Sequence, residues 1–476
     1  MEAVLREAYI IGLERVSAWS DLLDQINVFP VADGDTGRNL TSTLSPLREL
    51  DQGQEKIVKR LLLSARGNSG NIAALFFSGL LSASSPRLMP QAAELGRDRA
   101  WQAIGDPVSG TMLDVVDALP KLIHGFPDHP KGRDVAGITN PLAEVVRKTH
   151  ERLPKLKDAG VVDAGALGIY IFLEGFFKGL VKDTGAFRTV NDTFGDLLKV
   201  SSGFAGSSET GYCVDMVVRF DGESMPAIDR LAEHGDSVVV IPHEDVYKVH
   251  LHTRNRMEAK TGIESLCHVI EWADDDLGRQ TARFRPDDTA QCIHIMTDAA
   301  GSITREEARE LGITLLNSYI TAGDISLPET LFKPKHLYER MRTGVKVSSS
   351  QASVFERHQH YESALSRYDR VLYLCVGSFY TGNHEVALQW KATHDADDRF
   401  TVIDTGTASG RLGLIATATA RASTRAKDPD AVVRFAQSAI EQCEEYVFLD
   451  KLYYLARGPK QPGPAGVCAL KAPCTV

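Results

Sequence analysis

The chain has 476 residues, a formal charge of −10 and 43% hydrophobic residues. That length allows two to four domains at about 100–200 residues each, and the apolar share argues against a disordered chain. The negative balance argues against nucleic acid as the main partner.

Taken in chain order, residues 1 to about 190 read as helical. Val4, Ala8, Ile11, Trp19, Leu22 and Ile26 recur near the 3.6-residue period. Further helices are expected at 53–63, 69–81, 90–104, 111–119, 141–153 and 164–180, with a surface loop over 128–140. From about 205 the pattern changes. Tyr212, Val214, Met216, Val218 and Phe220 alternate with Cys213, Asp215, Val217 and Arg219, which predicts a half-buried strand. A helix at 226–234, strands at 237–241 and 247–253, a helix at 262–272 and a weak strand at 279–285 complete a β-α-β-β-α-β order. That is a small ferredoxin-like α+β domain. From Cys292, apolar runs at 292–296, 313–320, 345–349, 371–376 and 400–403 alternate with helical stretches at 305–311, 335–342, 353–365, 383–392 and 410–420. This rhythm predicts an α/β domain with a parallel sheet. The expected domains are 1–195, 205–286 and 291–476.

Scattered cysteines read as free thiols of a reducing compartment. Apolar runs such as 73–77 and 169–173 are far below the about 18–20 residues that span a bilayer. The first residues, Met-Glu-Ala-Val-Leu-Arg-Glu, have neither a basic n-region nor an apolar h-region. A cytoplasmic chain with no transmembrane segment is expected.

The helical region carries four loops with chemistry in them. In NVFPVADGDTGRNL (27–40), Asp33 and Asp35 flank Gly34, so a sharp turn lets both acids face one point. Mg²⁺ takes oxygen ligands and is commonly held by one or two carboxylates together with phosphates. SARGNSGN (64–71) is a small, glycine-rich stretch opening a helix, where free backbone amides suit phosphate. SGTM (109–112) and GVVDAG (160–165) are two further loops before helices. Each alone is also a common turn or helix cap. Four in one helical domain can meet at one end of a barrel of helices.

These four motifs, in this order, resemble the nucleotide-binding L-type domain of the dihydroxyacetone-kinase superfamily. They are most similar to the kinase component of bacterial fatty acid kinase, in which NVFP precedes DGDTG. The resemblance implies an all-α eight-helix barrel with ATP at one end. It implies that Asp33 and Asp35 hold Mg²⁺, and that Thr36, Asn39, Gly67, Asn68 and Ser69 line the phosphates. Thr111 and Asp163 fall in the nucleotide pocket, with Asn27, Gly37, Gly70 and Met112 in the same loops. Arg66 is a candidate catalytic cation from its charge and position. Arg38 departs from the family, which has a small polar residue there. The dihydroxyacetone enzymes also carry an additional acid ahead of the DGD pair, where this chain has Asn27 and Val28.

In the middle region Tyr247, Val249 and Leu251 face one side of a strand, and Lys248, His250 and His252 the other. Cys213 lies on the polar side of the first strand. His-x-His with a nearby cysteine suits Zn²⁺. Water, Asp215 and His243 are open choices for a fourth ligand. The resemblance continues here, since the middle domain of fatty acid kinases has similar GYC and VHxHT strands that form a metal site.

The last region, through MTDAAGSIT (296–304), VSSSQAS (347–353), GSFYTGNHEVA (377–387), VIDTGTASGRLGL (402–414) and FLDKLYYLARG (448–458), resembles the DegV family of fatty-acid-binding proteins. Carried across, Ser349, Ser350, Gln351, Ser378, Thr381 and Gly382 would hold an acyl carboxylate. Asp298 matches the aspartate of the first loop, and Lys460 stands where the family has an arginine. Asn383 replaces the usual threonine. The family closes its lipid pocket with a second lobe bearing a histidine. No stretch of this sequence resembles that lobe, so the DegV-like domain over 291–476 reads as truncated and incomplete, short by a small domain of roughly 100 residues.

Together these resemblances imply a fusion of the two halves of a fatty acid kinase, using ATP and Mg²⁺, and Zn²⁺ in the middle domain. They imply a fatty acid partner, a homodimer and an acyl-phosphate acceptor enzyme at the membrane. Two alternatives stay open: a kinase for a small ketone such as dihydroxyacetone (glycerone), and a non-catalytic fatty-acid carrier or sensor.

Overall fold

The computed structural model describes residues 1–183, 187–204, 210–220, 228–243, 245–284, 291–446 and 448. Contacts divide it into two compact units, 1–288 with 318–367, and 289–317 with 368–476.

The first unit opens with helices α1 (Ala3–Gln25), α2 (Thr36–Leu44), α3 (Gln54–Ser64), α4 (Gly67–Leu80), α5 (Met89–Gln102), α6 (Met112–Leu122), α7 (Gly132–Arg152), α8 (Pro154–Ala159), α9 (Ala164–Leu180) and α10 (Val190–Phe194). Helices α4 and α9 are buried over nearly their whole length. Phe76, Phe77, Phe172, Phe176 and Phe177 fill the core between them and Tyr9 of α1. Small residues set the closest approaches. A Cβ on Gly175 would lie 3.0 Å from the Gly12 Cα, so α9 and α1 meet backbone to backbone.

The expected loop at 128–140 is mostly the first half of α7. Val135, Ile138, Leu142 and Val146 are buried at helical spacing. The Lys131 amide donates to the Asp134 carboxylate at 2.8 Å, closing the first turn. That apolar stripe outweighs Gly132, Gly137 and Pro141.

The middle region contains β1 (Tyr212–Arg219), α11 (Ile228–Ala232), β2 (Asp236–His243), β3 (Val246–Thr253), α12 (Arg256–Glu264), β4 (His268–Asp276) and α13 (Leu277–Arg283). The four strands form an antiparallel sheet in the order β2-β3-β1-β4. Strand β4 stands where a helix ending at Trp272 was expected, and a helix where the weak strand 279–285 was expected. Asn255 caps α12 through its side chain, so that helix starts at Arg256, ahead of the expected 262, and Asp276 caps α13, a helix that the apolar pattern does not indicate. Val214, Met216, Val218, Val249 and Leu251 form the core on one face. The edge strand β2 is tied to the helical domain. Val239 and Ile241 join its core, Val240 N donates to Ala103 O, and Gly105 N donates to Val238 O.

Residues 318–367 also belong to the first unit. Strands β7 (Tyr319–Ala322), β8 (Ile325–Pro328) and β9 (Val347–Ser350) form an antiparallel sheet, β8-β7-β9, with α15 (Pro334–Arg342) and α16 (Val354–Arg367). Helix α16 packs on α1. The contact is polar. Arg48 donates to Glu14 at 2.9 Å and to Glu356 at 2.7 Å, Tyr319 donates to Glu356, and Ser353 donates to Glu14. Beside it, Arg15 reaches Glu174 and Gln359.

The second unit has a four-stranded parallel sheet, β11-β10-β5-β6, from β5 (His294–Asp298), β6 (Ile313–Leu316), β10 (Val371–Cys375) and β11 (Phe400–Asp404). Helices α14 (Arg305–Leu311), α17 (Asn383–His394), α18 (Ser409–Ser423) and α19 (Pro429–Gln442) accompany it. The apolar run 313–320, expected as one strand, is two strands in different sheets, broken at Asn317-Ser318. The run 345–349 lies in the antiparallel sheet, not the parallel one. No helix among the described residues is long and apolar enough to cross a membrane.

Candidate functional site: paired loops and a thiol–imidazole cluster

Asp33 sits in the turn after α1, with Gly34 at φ 62, and is 9% exposed. Asn27 Nδ2 donates to its Oδ1 at 2.5 Å. Burial and the neighbouring Asp35 carboxylate push the Asp33 carboxyl well above the usual carboxylate range, against the pull of Arg38. Two neighbouring carboxylates offer hard oxygen donors of the kind that fit Mg²⁺.

Asp35 precedes α2, and Thr36, Gly37 and Asn39 are buried in its first turn. The amides of Gly37 and Arg38 donate to Asp24 Oδ1 at 2.7 and 3.2 Å. Asp24 thus holds the start of this helix from α1. Sequence reading missed it, because its anchoring role appears only when α1 and α2 pack. Gly37 admits no side chain, since a Cβ there would fall on the Ser20 backbone.

The second loop meets the first. Gly67 has φ 58, and a Cβ on it would lie 2.5 Å from Asn39 Nδ2. Arg66 N donates to Thr43 Oγ1 at 3.3 Å. Asn68 and Ser69 follow in the first turn of α4, where amides lack helical partners, and Gly70 N makes the first helical bond, to Arg66 O at 3.1 Å.

The third and fourth loops are joined by Asp163. It caps α9 by accepting from Ala166 N at 2.7 Å, and the Met112 and Gly165 amides also favour its charged form. A Cβ on Gly165 would lie 3.2 Å from Met112 Sδ, so the two loops touch there. Met112 is the first residue of α6, whose cap is Thr111. Burial outweighs these donors and pushes the Asp163 carboxyl up to about 7. Helix α9 packs against both α2 and α6, so the two loop pairs share one central helix.

Cys213, His250 and His252 present ligand atoms within 4.8 Å of one another. β1 and β3 pair with Cys213 opposite His252 and Asp215 opposite His250, which brings the four side chains to one face. Asp215 Oδ1 is 3.2 Å from His250 Nδ1, and His250 Nε2 is buried with no hydrogen-bond partner among the described residues. Burial and His250 hold the His252 imidazole down at about 3, neutral and fit to ligate. Burial, then Asp215, Asp35 and Asp33, push the Cys213 thiol up. A divalent cation reverses that penalty by favouring the thiolate. The orphaned imidazole nitrogen and the thiol–imidazole set fit Zn²⁺. The side chain of His243 lies outside the described residues.

The sequence-predicted lipid contacts fall in both units. Ser349 and Ser350 end β9, exposed, with Gln351 following in the first unit. Asp298, Ser378, Thr381 and Gly382 are in the second. There Asp298 is buried at the end of β5. It accepts from Tyr373 Oη at 3.0 Å, Val376 N at 2.8 Å and Asn383 Nδ2 at 2.8 Å. Its carboxylate thereby shapes the loop carrying Ser378, Thr381 and Gly382 and anchors the start of α17. Asn383, the departure from the family pattern, is one of its donors. Lys460, Cys468, Cys474 and most of the FLDKLYYLARG stretch lie outside the described residues.

Three family models match successive stretches: the DAK2 domain over residues 30–178, the FakA-like middle domain of fatty acid kinase over 209–283, and the DegV family over 292–460. One chain thus carries a DAK2 domain, a FakA-like middle domain and a DegV domain. An uncharacterized protein of Staphylococcus saprophyticus is 33% identical over 275 residues, 52% of this chain and 50% of the relative. An uncharacterized protein of Staphylococcus aureus is 31% identical over 278 residues, 51% and 50%. The chain spans about half the length of the curated relatives it matches. Among solved structures, DegV, a fatty acid binding protein from Bacillus subtilis, matches with a TM-score of 0.32 and 20% identity over 35% of this chain and 60% of that one.

Proposed function

We propose that this chain is a fatty acid kinase in one polypeptide, with sequence domains 1–195, 205–286 and 291–476. In this reading the N-terminal domain is an eight-helix barrel that binds MgATP, and the middle domain is ferredoxin-like and holds Zn²⁺. The DegV domain presents a fatty acid carboxylate. A carboxylate oxygen attacks the γ-phosphorus, the bond to the β–γ bridging oxygen breaks, and acyl phosphate and ADP result.

The observation that carries the reading is the meeting of the loops in two pairs: Gly67 against Asn39 on one side, and Gly165, beside the Asp163 cap, against Met112 on the other. The match to the fatty acid kinase middle domain and the DegV family supports lipid over a small ketone as acceptor. A fatty acid carboxyl, ordinarily at about 4–5, is already ionised at neutral pH, so no strong base is required. The obstacle is repulsion between two anions. Asp33 and Asp35 would hold Mg²⁺, which neutralises phosphate charge when bound. The Arg66 guanidinium and the first amides of α4 would stabilise charge on the transferred group. Cys213, His250 and His252 would hold Zn²⁺ in a structural or substrate-positioning role, with Asp215 orienting His250.

We further propose a cytoplasmic homodimer whose product is consumed by an acceptor enzyme at the membrane. The test is ATP consumption by the full chain over a panel of fatty acids, beside mass spectrometry of ligand extracted from the purified protein. Fatty-acid-stimulated consumption is expected. Bound lipid without it points to a carrier.

A further inference from the structure

Lys248 is a buried cation that belongs to neither donor set described above. It stands on β3 beside Val249, which enters the middle-domain core. Strand alternation sends Lys248 to the opposite face, with His250 and His252. There it is 5% exposed. Its ammonium donates to the carbonyl oxygens of Leu63, at 3.4 Å, and Ala65. Both carbonyls lie at the C-terminus of α3, where the last carbonyls have no partner within the helix. A cation matches the negative end of the helix dipole. A buried ammonium costs several kcal/mol to desolvate, and an apolar side chain of similar length would fill the space without that cost. The contact therefore points to a positional role beyond packing.

What the two carbonyls flank is the phosphate-facing turn. Arg66 follows in extended conformation, at φ −136 and ψ 140, then Gly67 at φ 58, then the free amides of α4. Asp215 lies within electrostatic reach of both Lys248 and Arg66, and Glu271 also acts on Lys248, so the two cations have the Asp215 countercharge in common. The middle domain thus grips the turn at its base, while Thr43 of the helical domain accepts the Arg66 amide.

We propose that Lys248 is a positioning residue: by holding the Leu63 and Ala65 carbonyls, it fixes the turn that directs Arg66 and the α4 amides at the nucleotide phosphates. The proposal rests on the reading of this loop as the ATP-phosphate site. It makes phosphate binding in the first domain depend on a side chain of the second.

The experiment is calorimetric titration of the full chain with MgATP and, separately, with adenosine. Losing a charge-assisted hydrogen bond is expected to weaken MgATP binding about tenfold in Lys248→Met. Adenosine, which lacks phosphates, keeps its affinity. Lys248→Gln retains a donor without the charge and loses at least about threefold of the same ratio. Lys248→Arg restores the ratio of MgATP to adenosine affinity. If the wild-type chain binds no MgATP, the nucleotide reading falls and takes this proposal with it. If the wild type binds and the ratio is unchanged in Lys248→Met, or in Lys248→Gln should the first variant not fold, the Lys248 proposal alone is overturned. Equal weakening of both ligands also overturns it, because that is a general loss of structure.

Discussion

Asp163→Asn isolates a contest between two forces at the junction of α6 and α9. Three backbone amides, from Ala166, Met112 and Gly165, favour the carboxylate, while burial disfavours it. Burial wins, moving the group from 3.8 to about 7. At 1.36 kcal/mol per pH unit this is worth about 4 kcal/mol. The pKa is raised in the folded state, so the stabilising contribution of protonated Asp163 is fully present below about pH 4. It is lost as pH rises through about 7. Asparagine is a neutral isostere that still caps a helix and does not titrate. The variant should therefore match the wild type below about pH 4 and exceed it in thermal midpoint by several degrees near pH 8. Scanning calorimetry of both proteins across that range measures the difference directly. A pH-independent difference, or a wild type that gains on the variant as pH rises, would refute the argument. It would mean that the amides hold the carboxylate ionised.

Other consequences follow from the buried polar groups. Purified protein should carry about one zinc per chain, and Cys213→Ser should lose most of it by elemental analysis. Retention of stoichiometric metal in that variant removes Cys213 from the donor set. Arg48→Met leaves Glu14 and Glu356 facing each other without their shared cation. The expected cost is about 3–5 kcal/mol, seen as faster hydrogen exchange across 318–367. Adding Glu356→Gln should recover much of it, and no recovery would show that the pair is not electrostatic in origin.

Much of the fold was legible because long apolar periods are unambiguous. Helices α4 and α9, and strands β1 and β3, fall almost where the pattern places them. The failures share a cause: local signals yielded to tertiary contacts. Gly132 and Gly137 read as loop, yet Val135 and Ile138 bury a helix face. The apolar run 313–320 reads as one strand, yet it divides between two sheets. In the site, residue types with intrinsic chemistry were visible: paired aspartates, His-x-His and glycine-rich loops. Asp24 and Lys248 were not, because their roles lie in capping backbone groups far away in sequence.

In the function proposed, Asp33 and its loop serve phosphoryl transfer to a carboxylate. Incubating the chain with MgATP and a fatty acid, and trapping product with hydroxylamine as the acyl hydroxamate, reads that step directly. The wild type should form hydroxamate in proportion to ATP consumed, and Asp33→Ala should form none while still binding the fatty acid. Undiminished hydroxamate in Asp33→Ala would remove Asp33 from the transfer step, and none from the wild type across the fatty acid panel would rule out fatty acid kinase activity.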